Sequence, residues 1–162
     1  PKGLVGSEMC IRDRINILNR KVKYEYFILS SFNAGIMLTG SEIKSIRNND
    51  ANISDCYCLF KDKELFARNI YISEYKNSGY SDHDCTRDRK LLLNKTELDK
   101  IFDKVREKGI SVVAKRLYIN EKGLAKIEIS IVKGKKLYDK RNSIKDRDNK
   151  IKLDKLKKNF NA

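Results

Sequence analysis

At 162 residues, with 40% hydrophobic and 36% charged side chains, the chain has room for one domain with a buried core and a strongly ionic surface. Its 36 Lys and Arg against 22 Asp and Glu leave a net charge of +14, which favours a polyanionic partner, nucleic acid ahead of an anionic membrane, through phosphate neutralisation and counterion release. No apolar run approaches the roughly 20 residues that span a bilayer, and Pro1 to Arg14 lacks the apolar core and cleavage site of a secretory signal, so a soluble, cytoplasmic protein without a membrane partner is expected.

Tyr24 to Ser31 is rich in aromatic and β-branched residues and Ala34 to Thr39 is apolar, which predicts two strands separated at Phe32-Asn33. Gly40-Ser41 offers a break and an N-cap for a helix of about two turns, Glu42 to about Asn48, with Ile43 and Ile46 on one face. Asn52 to Lys61 and Glu64 to Tyr75 alternate around Asp62-Lys63, as in a hairpin with a short polar turn. Cys56 and Cys58, two apart, share a strand face and read as small buried side chains. Asn77 to Arg89 has a Gly, several charges and no period, the pattern of a loop. Asn94 with Glu97 three residues on marks a helix start, Leu98, Ile101, Phe102 and Val105 line one face, and Gly109 supplies the stop. Ile110 to Ile119 and Ala125 to Val132 flank Asn120-Glu121-Lys122-Gly123, and Ile127, Ile129 and Ile131 alternate with Lys126, Glu128 and Ser130. About six antiparallel strands with two helices and no sustained β-helix-β alternation predict a mainly β fold with flanking helices, an OB-like antiparallel barrel.

From Lys133 the composition changes. Lys133 to Lys158 holds 12 Lys or Arg and 4 Asp, an excess of 8 out of the chain's 14. Ser143 and Asp146 could form a capping box, but Ile144, Ile151, Leu153, Leu156 and Phe160 are too sparse to bury a helix face alone. Disorder that becomes helical on a polyanion is expected.

Catalytic patterns are lacking. His83, the one histidine, sits in the loop without a nucleophile partner, and no G-x-S-x-G, H-E-x-x-H or Walker A pattern occurs. Lys133-Gly134-Lys135-Lys136 lacks the upstream Gly and following Ser/Thr of a phosphate loop and reads as a basic hinge. Cys10, Cys56, Cys58 and Cys85 have no C-x-x-C spacing, so no zinc site is expected and free thiols suit a reducing compartment. Asp82 and Asp84 beside Asp88 lack EF-hand spacing and read as solvated. Tyr24, Tyr57, Tyr80 or Tyr138 could stack on bases, and composition does not choose among them.

Five strings carry more than the averages do: Glu25-Tyr26-Phe27-Ile28, Gly40-Ser41-Glu42-Ile43-Lys44-Ser45-Ile46-Arg47, Ala51-Asn52-Ile53-Ser54-Asp55, Arg89-Lys90-Leu91-Leu92-Leu93-Asn94 and Lys133-Gly134-Lys135-Lys136-Leu137-Tyr138-Asp139-Lys140-Arg141. In order and spacing they resemble the signature segments of the SmpB (SsrA-binding) family, from about Ile15 to the C-terminus. The resemblance implies an OB-type barrel with a basic tail and no enzymatic activity, cofactor or metal. It implies a protein that binds the tRNA-like domain of tmRNA, accompanies it with elongation factor Tu, reached indirectly through tmRNA, to a stalled ribosome, and substitutes there for the missing codon and anticodon stem. Leu92 and Asn94 match family positions implicated in tmRNA binding, and Gly134 with its lysines matches the start of the ribosome-directed tail, which Asp139-Lys140-Arg141 also fits. Asn33 stands where some members have Glu, and Tyr138 where some have His. Asn33 still donates and accepts hydrogen bonds, and Tyr138 keeps a planar ring.

Three segments follow: a non-native or disordered extension over 1–14, an RNA-binding body over 15–132 and a basic tail over 133–162. In the body, RNA contacts are expected at Asn33, Lys44, Arg47, Arg89, Lys90, Leu92 and Asn94, joined by Lys133, Gly134, Lys135 and Lys136. Small-subunit RNA of the stalled ribosome is expected to meet the tail at Tyr138, Asp139, Lys140, Arg141, Lys145, Arg147, Ile151, Leu153 and Leu156. The competing class is a general OB-type single-strand binder, distinguished by structural selectivity. A nuclease using Asp82 to Asp88 with Mg²⁺ would need chelator-sensitive cleavage of RNA.

Overall fold

The computed structural model describes residues 15–75 and 84–160. Its strands in chain order are β1 (Asn16–Leu18), β2 (Tyr26–Ile36), β3 (Ala51–Asn52), β4 (Tyr57–Lys61), β5 (Glu64–Arg68), β6 (Tyr71–Ile72), β7 (Arg89–Leu92), β8 (Ile110–Ile119) and β9 (Ala125–Gly134). The order β8-β4-β5-β7-β2-β9 returns on itself because β9 also pairs with β8, so six antiparallel strands close a barrel without a free edge in the circuit. The fold is mainly antiparallel β with flanking helices, as the alternation implies. β1 extends the outer edge of β8, and β3 pairs with β6 in a separate short ladder.

Period-two alternation fills the barrel. Ala34, Ile36, Leu65, Ala67, Leu91, Ala114, Leu117, Ile127, Ile129 and Ile131 are buried, and Ile46 and Ile101 join the same cluster from α2 (Gly40–Arg47) and α3 (Lys95–Val105). A smaller cluster forms where Val22 of α1 (Val22–Glu25) packs with Val113 and Val132. Cys56 and Cys58 are buried together, as expected from their spacing. The Asp62-Lys63 turn has φ of 51° and 63° at its two residues, the left-handed pair that a two-residue hairpin with native twist requires.

Several elements differ from expectation. The two strands expected on either side of Phe32-Asn33 are one, because Phe32 and Asn33 pair with Ile129 and Glu128 in an unbroken ladder; the irregularity falls between Ile28 and Ser30. Tyr24 and Glu25 lie in α1 instead of a strand. Thr39, not Gly40-Ser41, caps α2: it forms a capping box with Glu42, whose Oε2 accepts the Thr39 N–H at 2.8 Å. Arg89 opens β7 and does not end the preceding loop. Counting β1, β3 and β6, which lie outside the circuit, the described residues hold nine strands and four helices, more than the six and two expected.

The tail is a 24-residue helix, α4 (Leu137–Phe160), where disorder in the free chain is expected from composition. It contains neither Gly nor Pro, and Asp146/Lys150 and Asp148/Lys152 place acid before base at i,i+4, the favourable orientation on a helix surface. Ser143 lies inside α4, its Oγ donating to the Asp139 carbonyl at 2.9 Å, so it is not a cap.

Candidate nucleic-acid interface

One groove of about 490 Å³ gathers Asn33 from β2, Lys90 and Leu92 from β7, and Asn94 at the start of α3. Lys126 of β9 lines the opposite wall. The ladders explain the convergence. Leu92 stands opposite Gly35, and Gly35 opposite Lys126, so one row of outward positions crosses three strands with a side-chain-free step at its middle. A Cβ added to Gly35 would meet the Leu92 Cβ at 3.2 Å. Gly35 is therefore the floor that leaves Leu92 standing as a wall, 51% exposed. Neither Gly35 nor Lys126 stands out in the sequence, because the register that brings them together is set by distant strands.

Charge in the groove is balanced. Lys90 Nζ pairs with Glu64, and Glu97 accepts the Asn94 N–H at 3.1 Å as part of the α3 capping box. Phosphate neutralisation alone does not suit such a surface; apolar contact and directed hydrogen bonds do. Asn94 can serve twice, its Oδ1 turned to the helix start while its Nδ2 keeps two donors.

Arg89 does not face this groove. It is wholly buried, with Nε on Glu42 Oε1 at 2.9 Å, Nη1 on the Ile70 and Arg87 carbonyls at 2.7 and 3.0 Å, and Nη2 on the Cys85 carbonyl at 3.2 Å. An RNA contact expected of Arg89 is thereby corrected to a scaffold role, because its donors are engaged inside the protein. Arg87 also turns to Glu42, at 2.8 and 2.7 Å, so it shares the same buried carboxylate. Burial by itself would push the Glu42 carboxyl up, but the hydrogen bonds from Arg87 and the Thr39 N–H, together with Arg89, outweigh it and hold it at about 2. Burial also draws the Arg89 guanidinium below its ordinary value against the pull of Glu42, and it remains charged because a guanidinium starts so far above neutrality. The network ties α2 to β7.

Arg47 on α2 reaches the β8–β9 turn, and Lys44 on the same helix turns to Tyr75. Arg47 Nη2 reaches the Gly123 carbonyl at 3.4 Å, and Lys44 Nζ lies 5.2 Å from the Tyr75 ring centre. The turn is at the Lys126 end of β9, so Arg47 shares the end of the barrel that carries the groove.

Lys133, Gly134, Lys135 and Lys136 lie at the other end of β9. Eight residues separate Lys126 from Gly134, about 26 Å of extended strand. Lys133 and Lys136 are exposed, whereas Lys135 is engaged: its Nζ donates to the Lys23 carbonyl at 3.1 Å and Ser143 Oγ at 3.0 Å, and lies 4.9 Å from the Phe27 ring centre. Its N–H donates to the Glu25 carbonyl at 3.0 Å. Lys135 thus clamps the root of α4 to α1 and β2. Tyr138 is 65% exposed, and Ile151, Leu153 and Leu156 are exposed along α4. Arg141, Lys145 and Arg147 are also exposed, and Asp139 and Lys140 are half-buried at its first turns.

Asp88 and Asp84 do not converge. Asp88 takes Arg68 in a two-point pair at 2.9 and 2.7 Å, and Asp84 accepts from the Thr86 N–H and Oγ1 at 2.9 and 3.0 Å. Asp82, His83, Tyr80 and Cys10 lie outside the described residues, among which no cluster of metal-ligating side chains occurs and no helix is long and apolar enough to cross a membrane.

Comparison with known proteins supplies a family. Residues 16–159 match the family model described as SmpB protein. An SsrA-binding protein of Flavobacterium psychrophilum is 49% identical over 146 residues, 90% of this chain and 97% of that one. One from Cytophaga hutchinsonii is 49% identical over 143 residues, 88% and 94% of the two chains. A chain from the solved structure "tmRNA-SmpB: a journey to the center of the bacterial ribosome" superposes with a TM-score of 0.67 at 36% identity, covering 80% of this chain and 94% of that one.

Proposed function

The chain belongs to the SmpB family, and from that premise we propose that it is an RNA-binding adaptor of trans-translation, holding the tRNA-like domain of tmRNA on its body and engaging a stalled ribosome with its tail. The observation that carries this reading is the separation along β9. Asn33, Lys90, Leu92 and Asn94 line a groove with Lys126, while the tail leaves past Gly134, about 26 Å of strand away. Two polyanions can therefore be held without competing for one surface. The role is non-enzymatic: the body binds and the tail docks, and elongation factor Tu joins through tmRNA.

Within the body, Leu92 supplies an apolar contact, Asn94 and Asn33 supply directed hydrogen bonds, and Lys90, Lys126, Lys44 and Arg47 flank the backbone. In the tail, Lys133 and Lys136 start a basic path that continues through Tyr138, Lys140, Arg141, Lys145 and Arg147. Asp139 lies in its first turn, and Ile151, Leu153 and Leu156 give it a register.

The test separates the two ends. Truncation after Val132 should leave binding to the tRNA-like domain largely intact yet abolish tagging of stalled peptides. A tail of scrambled order and equal composition should bind ribosomes with similar salt dependence and still fail to support tagging. Full tagging by the scrambled protein would remove ordered docking from the mechanism. In a bacterial lysate at about 0.15 M salt, a tagged full chain that enriches tmRNA no better than other RNA would instead indicate a general single-strand binder.

A further inference from the structure

We propose that Tyr118 is an additional RNA contact, a stacking platform for an unpaired base at the end of the groove. The inference rests on the RNA-binding reading above. The row of outward positions that holds Leu92, Gly35 and Lys126 continues one strand further, because Lys126 stands opposite Tyr118 of β8. Tyr118 is thus the aromatic end of a surface that begins at the Leu92 wall.

Three features adapt it to a base. The Arg116 guanidinium lies over its ring, 4.4 Å from the centre. Arg116 is itself ion-paired with Glu128, with Nε 3.2 Å from Oε2, and Glu128 also takes Lys115, which keeps the cation against one face of the ring. The Tyr118 hydroxyl donates to Asn33 Oδ1 at 3.4 Å, which turns the Asn33 amide donors away from the ring and leaves them for a ligand acceptor. A half-buried ring backed by a cation presents its other face to a base, and the balanced charge of the adjoining groove leaves stacking and base-edge hydrogen bonds as the available sources of affinity. The sequence contains this tyrosine among eight, and only the cross-strand register singles it out.

The experiment measures binding of the full chain to a transcript of the tRNA-like domain of tmRNA across a salt series. Tyr118→Leu, which keeps an apolar side chain and loses the π face, should weaken binding about tenfold, the scale of one base–aromatic stack. The slope of log K against log salt should stay unchanged, because no phosphate contact is lost. Tyr118→Phe should retain affinity to within about threefold, the scale of one lost hydroxyl hydrogen bond, and an unchanged melting temperature in both variants would exclude a folding effect. Binding by Tyr118→Leu equal to the parent, or a loss accompanied by a shallower salt slope, overturns the stack. Leu92→Ala and Asn94→Asp serve as controls. If they weaken binding while Tyr118→Leu does not, the groove stands and the stack falls; if none of the three weakens it, the groove reading fails first.

Discussion

Replacing Arg89 with Met distinguishes a scaffold cation from an RNA contact. The side chain is wholly buried and donates to Glu42 and to the carbonyls of Ile70, Arg87 and Cys85. Met fills much of the volume but leaves Glu42, equally buried, with Arg87 as its remaining charge partner and three carbonyls short of a donor. Breaking a buried pair from one side costs about 3–5 kcal/mol, and at roughly 3 °C per kcal/mol for a chain of this size the midpoint should fall by about 10–15 °C. Thermal unfolding by circular dichroism gives the midpoint, and RNA titration well below it gives the affinity of the folded fraction. That affinity should stay within a few-fold of the parent, with the same salt slope. A phosphate contact would behave in the opposite way: little change in midpoint and a slope reduced by about one. That second pattern would refute the scaffold assignment.

The remaining predictions concern the same body. Glu42 is held at about 2 in the fold against 4.5 ordinarily, so its stabilisation, about 3 kcal/mol, is present in full above the unfolded value and drains away as the pH falls from about 4.5 to about 2. Urea unfolding of the parent and Glu42→Gln should therefore differ at pH 7 and converge in acid, and a constant difference across that window would contradict the linkage. Gly35→Ala places a Cβ 3.2 Å from that of Leu92, so RNA binding should weaken several-fold while the midpoint moves by only a few degrees, the scale of about 1 kcal/mol. Asn94→Ala should cost about 1 kcal/mol of stability by loss of the helix cap as well as RNA affinity. Asn94→Asp keeps a capping oxygen and removes the amide donors, so it should lose affinity with an unchanged midpoint; full affinity in that variant would leave Asn94 a structural role alone.

Legibility in the sequence followed the range of the signals. α3 announces both its ends, through Asn94 with Glu97 and through Gly109, and its apolar face recurs at helical spacing. β8 and β9 alternate cleanly. What failed were features decided by a partner strand: Phe32-Asn33 looks like a break until nine residues of β9 are laid beside β2. Arg89 illustrates a signal present but outweighed. Arg89 and Leu91 are two apart in one strand and must share a face, and Leu91 is buried; the RNA contact expected of Arg89 instead requires an outward cation. Glu42 carries the same hint, four residues before the buried Ile46 on the same side of α2. Two charges thus marked themselves as interior by period, and each is tolerated there because the other is present. Of the groove, Leu92 and Asn94 were accessible through the family resemblance and Lys90 through charge, while Gly35, Lys126 and Tyr118 emerge only from register.

The tail presents its apolar residues in a way that constrains how it can dock. At 100° per residue, Leu137, Ile144 and Ile151 fall within about 40° of one another along one side of α4, whereas Leu153 falls nearly opposite and Leu156 about 60° from Leu153. A helix lying on a flat surface would carry one stripe; apolar residues on more than one side, with Lys and Arg all round, suit a helix enclosed by its partner. Composition alone cannot supply this arrangement, since scrambling keeps every charge and destroys the placement of the apolar residues. The clamp at Lys135 completes the geometry. By joining the root of α4 to α1 and to Phe27 of β2, it sets the direction in which the helix leaves a closed barrel whose groove lies at the far end of the same strand. The distance and angle between the two proposed RNA surfaces are therefore set by β9 and by one lysine, so under the proposed function the place where the tail meets the ribosome follows from where the body holds its own RNA.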